Sequence, residues 1–224
     1  MRPTSLDHVA LWVADRDRIA DFACAHLGMH VIERTDRFTL VGVDARRGKL
    51  TLFEAEGPRE RGALRSIGLR VSDLGRALTE LPEGFDEDFE LAEGIRIRLV
   101  EGPTDMDYDL DHVALVAADP LRAAQDWLPL GFELAPPLDG VPRAEVAGAY
   151  LELHEGDPGK PERPLLNHLS VLVDSADDWR SRAEEAGAEI ADVVDAPNTY
   201  AVFVWGPERV KLEYVEHKPS FSLT

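Results

Sequence analysis

The chain has 224 residues and a formal net charge of −19, from 24 basic and 43 acidic side chains. Nucleic acids and anionic membranes require a basic surface, so this charge argues against both as partners. Cys24 is the only cysteine, which excludes an internal disulfide and indicates a reducing cytoplasm. The first five residues lead into a strand-like pattern and no long apolar run follows. We therefore expect neither a secretory signal nor a transmembrane helix.

Four similar strand-like segments divide the chain into modules. These segments are LDHVALWV (6–13), SIGLRVSD (66–73), LDHVALVA (110–117) and LNHLSVLV (166–173). Each segment alternates, so apolar residues such as Val9 lie on one face of the predicted strand. The opposite face carries His8, His112 and His168, with Ser66 at the matching place in the degenerate second copy. The repeat predicts that the histidine-bearing face points away from the core and into the space that the sheets enclose.

A helical stretch follows every one of these leading segments. Each stretch begins with Asp or Ser, which cap helix N-termini, and ends at a glycine that suits the C-terminus. Short alternating segments come next, so one module contains a strand, a helix and about three further strands. The sequence thus predicts an α+β fold of four βαβββ modules, and it excludes a propeller and an all-helical solenoid. We expect two halves, 1–107 and 108–224, each built from two consecutive modules.

The closing strands of the modules repeat a second feature. LELHEG in the third module and LEYVEH in the fourth place Glu152 and Glu213 at matching positions. Arg98 stands there in the second module, and we assign Phe53 to that position in the first. Only the second half therefore has histidine at both openings and glutamate at both closings. Two histidines and a carboxylate that converge are suited to a divalent metal.

With these motifs in place, the chain resembles the vicinal oxygen chelate superfamily (VOC). This superfamily includes glyoxalase I, extradiol ring-cleaving dioxygenases, methylmalonyl-CoA epimerase and drug-binding resistance proteins. The resemblance covers nearly the whole chain, through the D-H-V-A-L and N-H-L-S-V openings and the ending from Phe203 to Tyr214. It implies that the four modules pair into two tandem VOC (glyoxalase-like) domains, each an open, barrel-like sheet. The first domain would be ligand-poor and the second would hold the metal, as in two-domain extradiol dioxygenases.

The resemblance also implies the metal ligands. On this mapping His112, His168 and Glu213 form the metal triad, each from a matching strand. Glu152 departs from the dioxygenase pattern, and we expect it close to the metal, either as a fourth ligand or in contact with a ligating side chain. A His–Glu–His–Glu set is what bacterial glyoxalase I and its isomerase relatives use. We expect His8 to lie far from this site.

The groups that would transfer protons do not follow the family pattern. The acid/base histidine of the dioxygenases would fall near Ala147, and their conserved tyrosine maps to Phe203. His154 and Tyr200 are the substitutes that the sequence offers as catalytic residues. By alternation, His154 shares a strand face with Glu152.

Three functions stay open at this point. The architecture favours a dioxygenase that uses Fe(II) or Mn(II) to bind a vicinal diol and O₂. The count of ligands favours a glyoxalase, epimerase or other isomerase or lyase with Ni, Co or Zn. The missing acid/base residues favour a non-catalytic protein that binds a small molecule. We prefer the dioxygenase. We expect a cytoplasmic protein with a small-molecule substrate and with no nucleic-acid or membrane partner. The sequence is compatible with a homo-oligomer.

Overall fold

The computed structural model describes residues 2–223 and has the predicted α+β fold. The first module comprises β1 (Ser5–Val13), α1 (Arg16–His26), β2 (His30–Arg34), β3 (Phe38–Asp44) and β4 (Arg47–Glu54). The second comprises β5 (Leu64–Val71), α2 (Leu74–Glu80), β6 (Asp88–Ala92) and β7 (Ile95–Glu101), one strand fewer than expected. The third comprises β8 (Asp109–Ala117), α3 (Pro120–Asp126), β9 (Glu133–Leu138), β10 (Val141–Val146) and β11 (Ala149–Glu155). The fourth comprises β12 (Leu166–Leu172), α4 (Ala176–Glu185), β13 (Ile190–Asp195), β14 (Thr199–Trp205) and β15 (Lys211–His217).

The predicted helix caps are present in all four modules. The side chains of Asp15, Asp73, Asp119 and Ser175 each accept a hydrogen bond from the backbone N–H three residues later. This bond satisfies one of the N–H groups that a helix leaves without a partner at its N-terminus. None of the helices in residues 2–223 is long and apolar enough to cross a membrane.

The strands form two sheets, and each sheet combines one module from each half of the chain. The first sheet has the order β13-β14-β15-β12-β1-β4-β3-β2, so it joins the fourth module to the first. The second sheet has the order β6-β7-β5-β8-β11-β10-β9 and joins the second module to the third. The expectation that consecutive modules would share a sheet is therefore wrong.

In each sheet, the module from the first half and the module from the second half are joined through their leading strands. β1 pairs antiparallel with β12, with Ala10 opposite His168, and β5 pairs antiparallel with β8, with Gly68 opposite His112. All four leading strands alternate in the same way. Pairing between consecutive modules and pairing between modules of different halves would therefore both keep a histidine-bearing face. The pairing that the chain adopts decides which histidines meet.

Consecutive modules meet instead through the side of the sheets that carries the helices. Trp179 of α4 is buried and stacks on Tyr214 of β15 with ring centroids 5.2 Å apart. The Tyr214 hydroxyl donates a hydrogen bond to the backbone oxygen of Leu130 in the third module. A Cβ atom at Gly131 would lie 2.6 Å from the Trp179 ring, so this approach requires a glycine. The core thus lies under the apolar faces of the strands, on the side of each sheet opposite the histidine-bearing face.

Candidate metal centre

Three side chains from three strands of the first sheet converge on one point. His8 lies on β1, His168 on β12 and Glu213 on β15. The Nε2 atoms of the two histidines are 3.0 Å apart, and Oε2 of Glu213 lies 3.1 Å from that of His8 and 3.3 Å from that of His168. We call these three residues the triad; they are the one group of this kind found in residues 2–223 that is spaced to hold a metal ion.

The neighbours of the triad orient both imidazoles. Nδ1 of His8 lies 2.7 Å from a carboxylate oxygen of Asp7, and Nδ1 of His168 lies 3.1 Å from Oδ1 of Asn167. Both oxygens are acceptors, so each Nδ1 carries a proton and each ring turns its Nε2 toward the triad. With both Nε2 atoms unprotonated, the two lone pairs and the carboxylate would repel one another unless a cation lay between them.

The spacing and burial of the triad fit a metal ion. Ligand atoms about 2.1 Å from a metal, at right angles to each other, are about 3 Å apart. Oε2 of Glu213 is buried without a well-aligned hydrogen-bond donor, and His168 is also buried. An imidazole, imidazole and carboxylate set on one side of a metal is the facial triad, which leaves positions open for other ligands. These residues would hold a divalent metal.

The pKa shifts of the metal-free triad show which positive charge a metal ion would replace. Burial by itself lowers the pKa of His8, but the Glu213 and Asp7 carboxylates raise it to about 9. Burial opposes ionisation of Glu213, yet the two imidazoles hold its pKa well below the usual range. Burial lowers the pKa of His168. Without metal, a proton on His8 therefore neutralises the buried carboxylate.

Asp7 contacts His8 and also forms a buried ion pair with Lys49. Nζ of Lys49 lies 2.9 Å from the Asp7 carboxylate and also donates to the backbone oxygen of Ala45. The side chains of Asp7 and Lys49 are only 1% and 4% exposed. Burial opposes ionisation of Asp7, but Lys49 and His8 lower its pKa below the ordinary value. Asp7 thus stays ionised and holds the Nδ1 proton of His8.

The fourth ligand position of the first sheet is occupied by a threonine. On β15, Glu213 pairs with Ser170, the second residue after His168; on β4, Thr51 pairs with Ala10, the second residue after His8. Thr51 is therefore the counterpart of Glu213, and the sequence-based assignment of Phe53 is wrong. Both Thr51 and Glu213 line the same cavity. Within residues 2–223, the group that is spaced to hold a metal therefore has three ligands, with Glu213 as its one carboxylate.

Aromatic rings surround the triad in a cavity of about 730 Å³. Phe203 packs edge-on against His168 at 5.1 Å between ring centroids, and Phe53 lies 6.1 Å from the same ring. Trp12 and Phe38 extend this wall, at 5.4 Å and 5.7 Å from Phe53. Such a wall suits a flat apolar group next to the metal position.

The other two predicted ligands lie in the second sheet. His112 is on β8 and Glu152 is on β11, with Nε2 of His112 3.8 Å from Oε2 of Glu152. The predictions that His112 joins His168 and Glu213, that Glu152 approaches them, and that His8 lies far away are all incorrect. The cause is the pairing of β1 with β12, which brings His8 to His168 and leaves His112 in the other sheet.

The two predicted catalytic residues also lie outside the triad cavity. His154 is on β11, where its Nε2 lies 3.5 Å from Oε2 of Glu152. Its pKa is lowered, first by burial and then by Arg65. Tyr200 donates a hydrogen bond of 2.8 Å from its hydroxyl to Asp177 at the start of α4 and does not line the cavity.

His217 is a titratable cavity residue that sequence reasoning missed. It lies at the end of β15, with Nε2 3.7 Å from the Asp7 carboxylate and the ring of Phe221 stacked on it at 3.8 Å. Burial lowers its pKa, so it is neutral near pH 7. Its signal was the alternation of β15, in which residues 213, 215 and 217 share one face.

Comparison with known families confirms the resemblance for the first half of the chain. Residues 5–108 match the model of the Glyoxalase/Bleomycin resistance protein/Dioxygenase superfamily. A search of curated proteins found no match.

Solved structures show that the fold extends over the whole chain. A structure titled "putative dioxygenase" from Bacillus subtilis subsp. subtilis str. 168 is similar with a TM-score of 0.79 and 16% identity, over 98% of this chain and 87% of that one. Glyoxalase I from Zea mays is similar with a TM-score of 0.72 and 14% identity, over 96% of this chain and 92% of that one. At these identities the likeness establishes the fold alone.

Proposed function

We propose that the chain is a metal-dependent dioxygenase that cleaves the ring of an aromatic vicinal diol. Fe(II) or Mn(II) is the proposed metal, and His8, His168 and Glu213 are the proposed ligands. The observation that carries this proposal is the count of ligands. The triad has three, and Thr51 stands where a glyoxalase-type site would have its second carboxylate.

The count of ligands matters because it decides what else can bind. The metal would supply open coordination positions for both hydroxyls of a diol and for O₂. A second carboxylate would fill one of these positions and add negative charge. A site with two carboxylates therefore favours Lewis-acid chemistry in an isomerase over oxygen chemistry.

The chain's own residues suit such a substrate. The wall formed by Trp12, Phe38, Phe53 and Phe203 would hold an aromatic ring and exclude water. Asp7 keeps the Nδ1 proton of His8 and so holds its Nε2 toward the metal position. His217 is proposed as the proton acceptor for the diol, because it is a neutral imidazole that faces the cavity without being a member of the triad.

The decisive experiment measures metal content and oxygen consumption together. The protein is purified anaerobically, loaded with Fe(II) and supplied with catechol and carboxylated catechols in an oxygen electrode. We expect diol-dependent oxygen uptake with a new absorbance from the ring-opened product. Metal binding without oxygen uptake, together with isomerisation of a glutathione hemithioacetal, would replace the dioxygenase with the glyoxalase type. A protein that binds catechols but no metal would be a binding protein.

Variants of Thr51 test the argument itself. Thr51→Glu adds the missing carboxylate, so we expect metal retention with at least tenfold slower oxygen uptake. Thr51→Val removes only the hydroxyl and is the matched control, with uptake close to that of the parent. Equal oxygen uptake in both variants would show that the open fourth position is not what permits the reaction.

A further inference from the structure

One basic side chain in the triad cavity is not used by the proposed dioxygenase site. Lys211 lies on β15 two residues before Glu213, so the two side chains share one face of the strand. Because a strand rises about 3.4 Å per residue, their backbones are only about 7 Å apart. Lys211 lines the cavity and is partly buried. Its positive charge is therefore on the cavity wall next to the metal position.

Two aromatic rings of β14 lie beside the Lys211 ammonium group. Its Nζ is 5.2 Å from the ring centroid of Trp205, which pairs with Lys211 across the strands, and 6.0 Å from that of Phe203. Phe203 also packs edge-on against His168 of the triad. Aromatic faces attract a cation but do not neutralise it. The rings thus hold the ammonium group near the triad and leave its charge available to an anion.

The Lys211 ammonium group has no acidic partner in the described part of the chain. No carboxylate of residues 2–223 forms an ion pair or a hydrogen bond with it. By contrast, Lys49 in the same cavity is paired with Asp7. Asp192 lines the cavity from β13, two strands away from β15, and its Oδ1 accepts a hydrogen bond from the backbone N–H of the next residue. In a chain with 43 acidic and 24 basic residues, a cavity cation without a counter-charge is a candidate for ligand binding.

Arg37 also lines the cavity without an ion pair to a described residue, but its surroundings differ. It is exposed in the turn between β2 and β3, and β12, β1 and β4 lie between β3 and β15 in the sheet. Glu54, whose backbone N–H donates to the backbone oxygen of Arg37, lines the cavity together with Glu33 of β2. These carboxylates would repel an anion, and water screens an exposed charge. Lys211 is therefore the stronger anion site of the two.

We propose that Lys211 binds a carboxylate substituent of the substrate, so that the substrate class is an anionic aromatic diol; this proposal rests on the proposed dioxygenase function. The diol hydroxyls would bind at the metal position, the ring would lie along Phe203, and the carboxylate would accept a hydrogen bond from Nζ of Lys211. A hydrogen bond between two charged groups is stronger than a neutral one, and the partly buried position reduces its screening by water. Because the net charge of −19 repels anions in general, binding of an anionic diol requires a local positive charge of this kind.

The test compares the binding of two diols of the same shape, 3,4-dihydroxybenzoate and its neutral amide 3,4-dihydroxybenzamide. Anaerobic calorimetry on the Fe(II)-loaded full-length chain gives both dissociation constants, and the 2,3-dihydroxy isomers of this pair sample a second position of the carboxylate. We expect the parent protein to bind the acid about tenfold or more tightly than the amide in at least one isomer pair. Lys211→Met keeps the aliphatic stem and removes the charge, so it should weaken binding of the acid by roughly 10- to 100-fold and abolish the preference. Lys211→Arg keeps the charge and should retain the preference.

Arg37→Met is the matched control, because it removes a cavity cation that is far from the triad, and it should keep the preference of the parent protein. Equal binding of acid and amide by the parent, or binding of neither, would overturn the role of Lys211. A preference that persists in Lys211→Met, or one that is lost in Arg37→Met instead, would overturn it as well.

Oxygen uptake separates this proposal from the proposed function. A parent protein that prefers the acid through Lys211 but consumes no oxygen with either diol would refute the dioxygenase and support the anion site. Oxygen uptake with equal kcat/KM for the acid and the amide would support the dioxygenase and overturn the role of Lys211.

Discussion

Individual side chains around the triad balance one another's charge. Asp7 contacts Lys49 on one side and His8 on the other, and all of these contacts are shielded from water. Removing one partner of a buried ion pair is expensive because the other charge stays buried. Asp7 therefore both orients the imidazole of His8 and neutralises the charge of Lys49.

We predict that Asp7→Asn destabilises the metal-free protein by about 3 kcal/mol, because it leaves Lys49 without its counter-charge. Urea unfolding measures this difference. It should also weaken metal binding by roughly 10- to 100-fold, because a neutral amide orients His8 less firmly. The double variant Asp7→Asn with Lys49→Met should regain most of the stability but not the metal affinity. An unfolding free energy unchanged in Asp7→Asn would refute the predicted role of the pair.

The raised pKa of His8 predicts how metal binding depends on pH. In the metal-free protein His8 keeps its proton up to pH about 9, and a metal must displace that proton. Affinity should therefore increase with pH by up to about tenfold per unit below pH 9 and then level off. Calorimetry in buffers of different ionisation enthalpy should detect about one proton released per metal at pH 7. Binding at the triad that releases no proton at this pH would contradict the assignment of the proton to His8.

At the scale of single elements, the register between strands sets the ligand positions. In each module the closing strand pairs in parallel with the leading strand, and the second residue after the histidine position faces the closing residue. These closing residues are Thr51, Arg98, Glu152 and Glu213. The sequence predicted three of the four correctly. It misplaced the first because LFEAEG was aligned by its last glutamate, whereas the pairing aligns Ala10 with Thr51.

Gly68 offers a test of the contact between β5 and β8. We predict that Gly68→Ala displaces His112 and destabilises the protein by about 1–3 kcal/mol. Metal binding at the triad should be unaffected. Gly57→Ala is the matched control, since a Cβ atom there meets no neighbour within 4 Å and should leave the stability unchanged. Chemical unfolding measures the effect, and an unfolding free energy of Gly68→Ala equal to that of the parent protein would contradict the prediction.

At the scale of the whole molecule, the pairing of modules was the feature that the sequence could not provide. The four leading strands have the same alternation, so their hydrogen-bonding edges are equivalent in pattern. The choice between partners depends on long-range packing, including the contact of Trp179 with Gly131 and Tyr214. Local patterns therefore predicted the modules, the helix caps and the metal-ligand residue types. They did not predict that His8 would join His168 and Glu213 to complete the triad.

This pairing makes each half of the chain dependent on the other, which gives the last prediction. Residues 108–224 contain His168 and Glu213, but the third ligand is on β1, in residues 1–107. Separated halves would leave one edge of β1 and one edge of β5 unpaired in one piece, and one edge of β8 and one edge of β12 unpaired in the other. Unpaired edges of this kind promote association, so each half alone should self-associate or aggregate.

When the two halves are refolded together, we expect a one-to-one complex that restores both sheets and binds metal at the triad. Size-exclusion chromatography measures the complex, and calorimetry compares its metal affinity with that of the intact chain. His8→Gln in the first half is the control, and it should allow the complex to form while removing tight binding at the triad. A monomeric 108–224 fragment with the metal affinity of the intact chain would contradict the assignment of His8, because that fragment lacks β1.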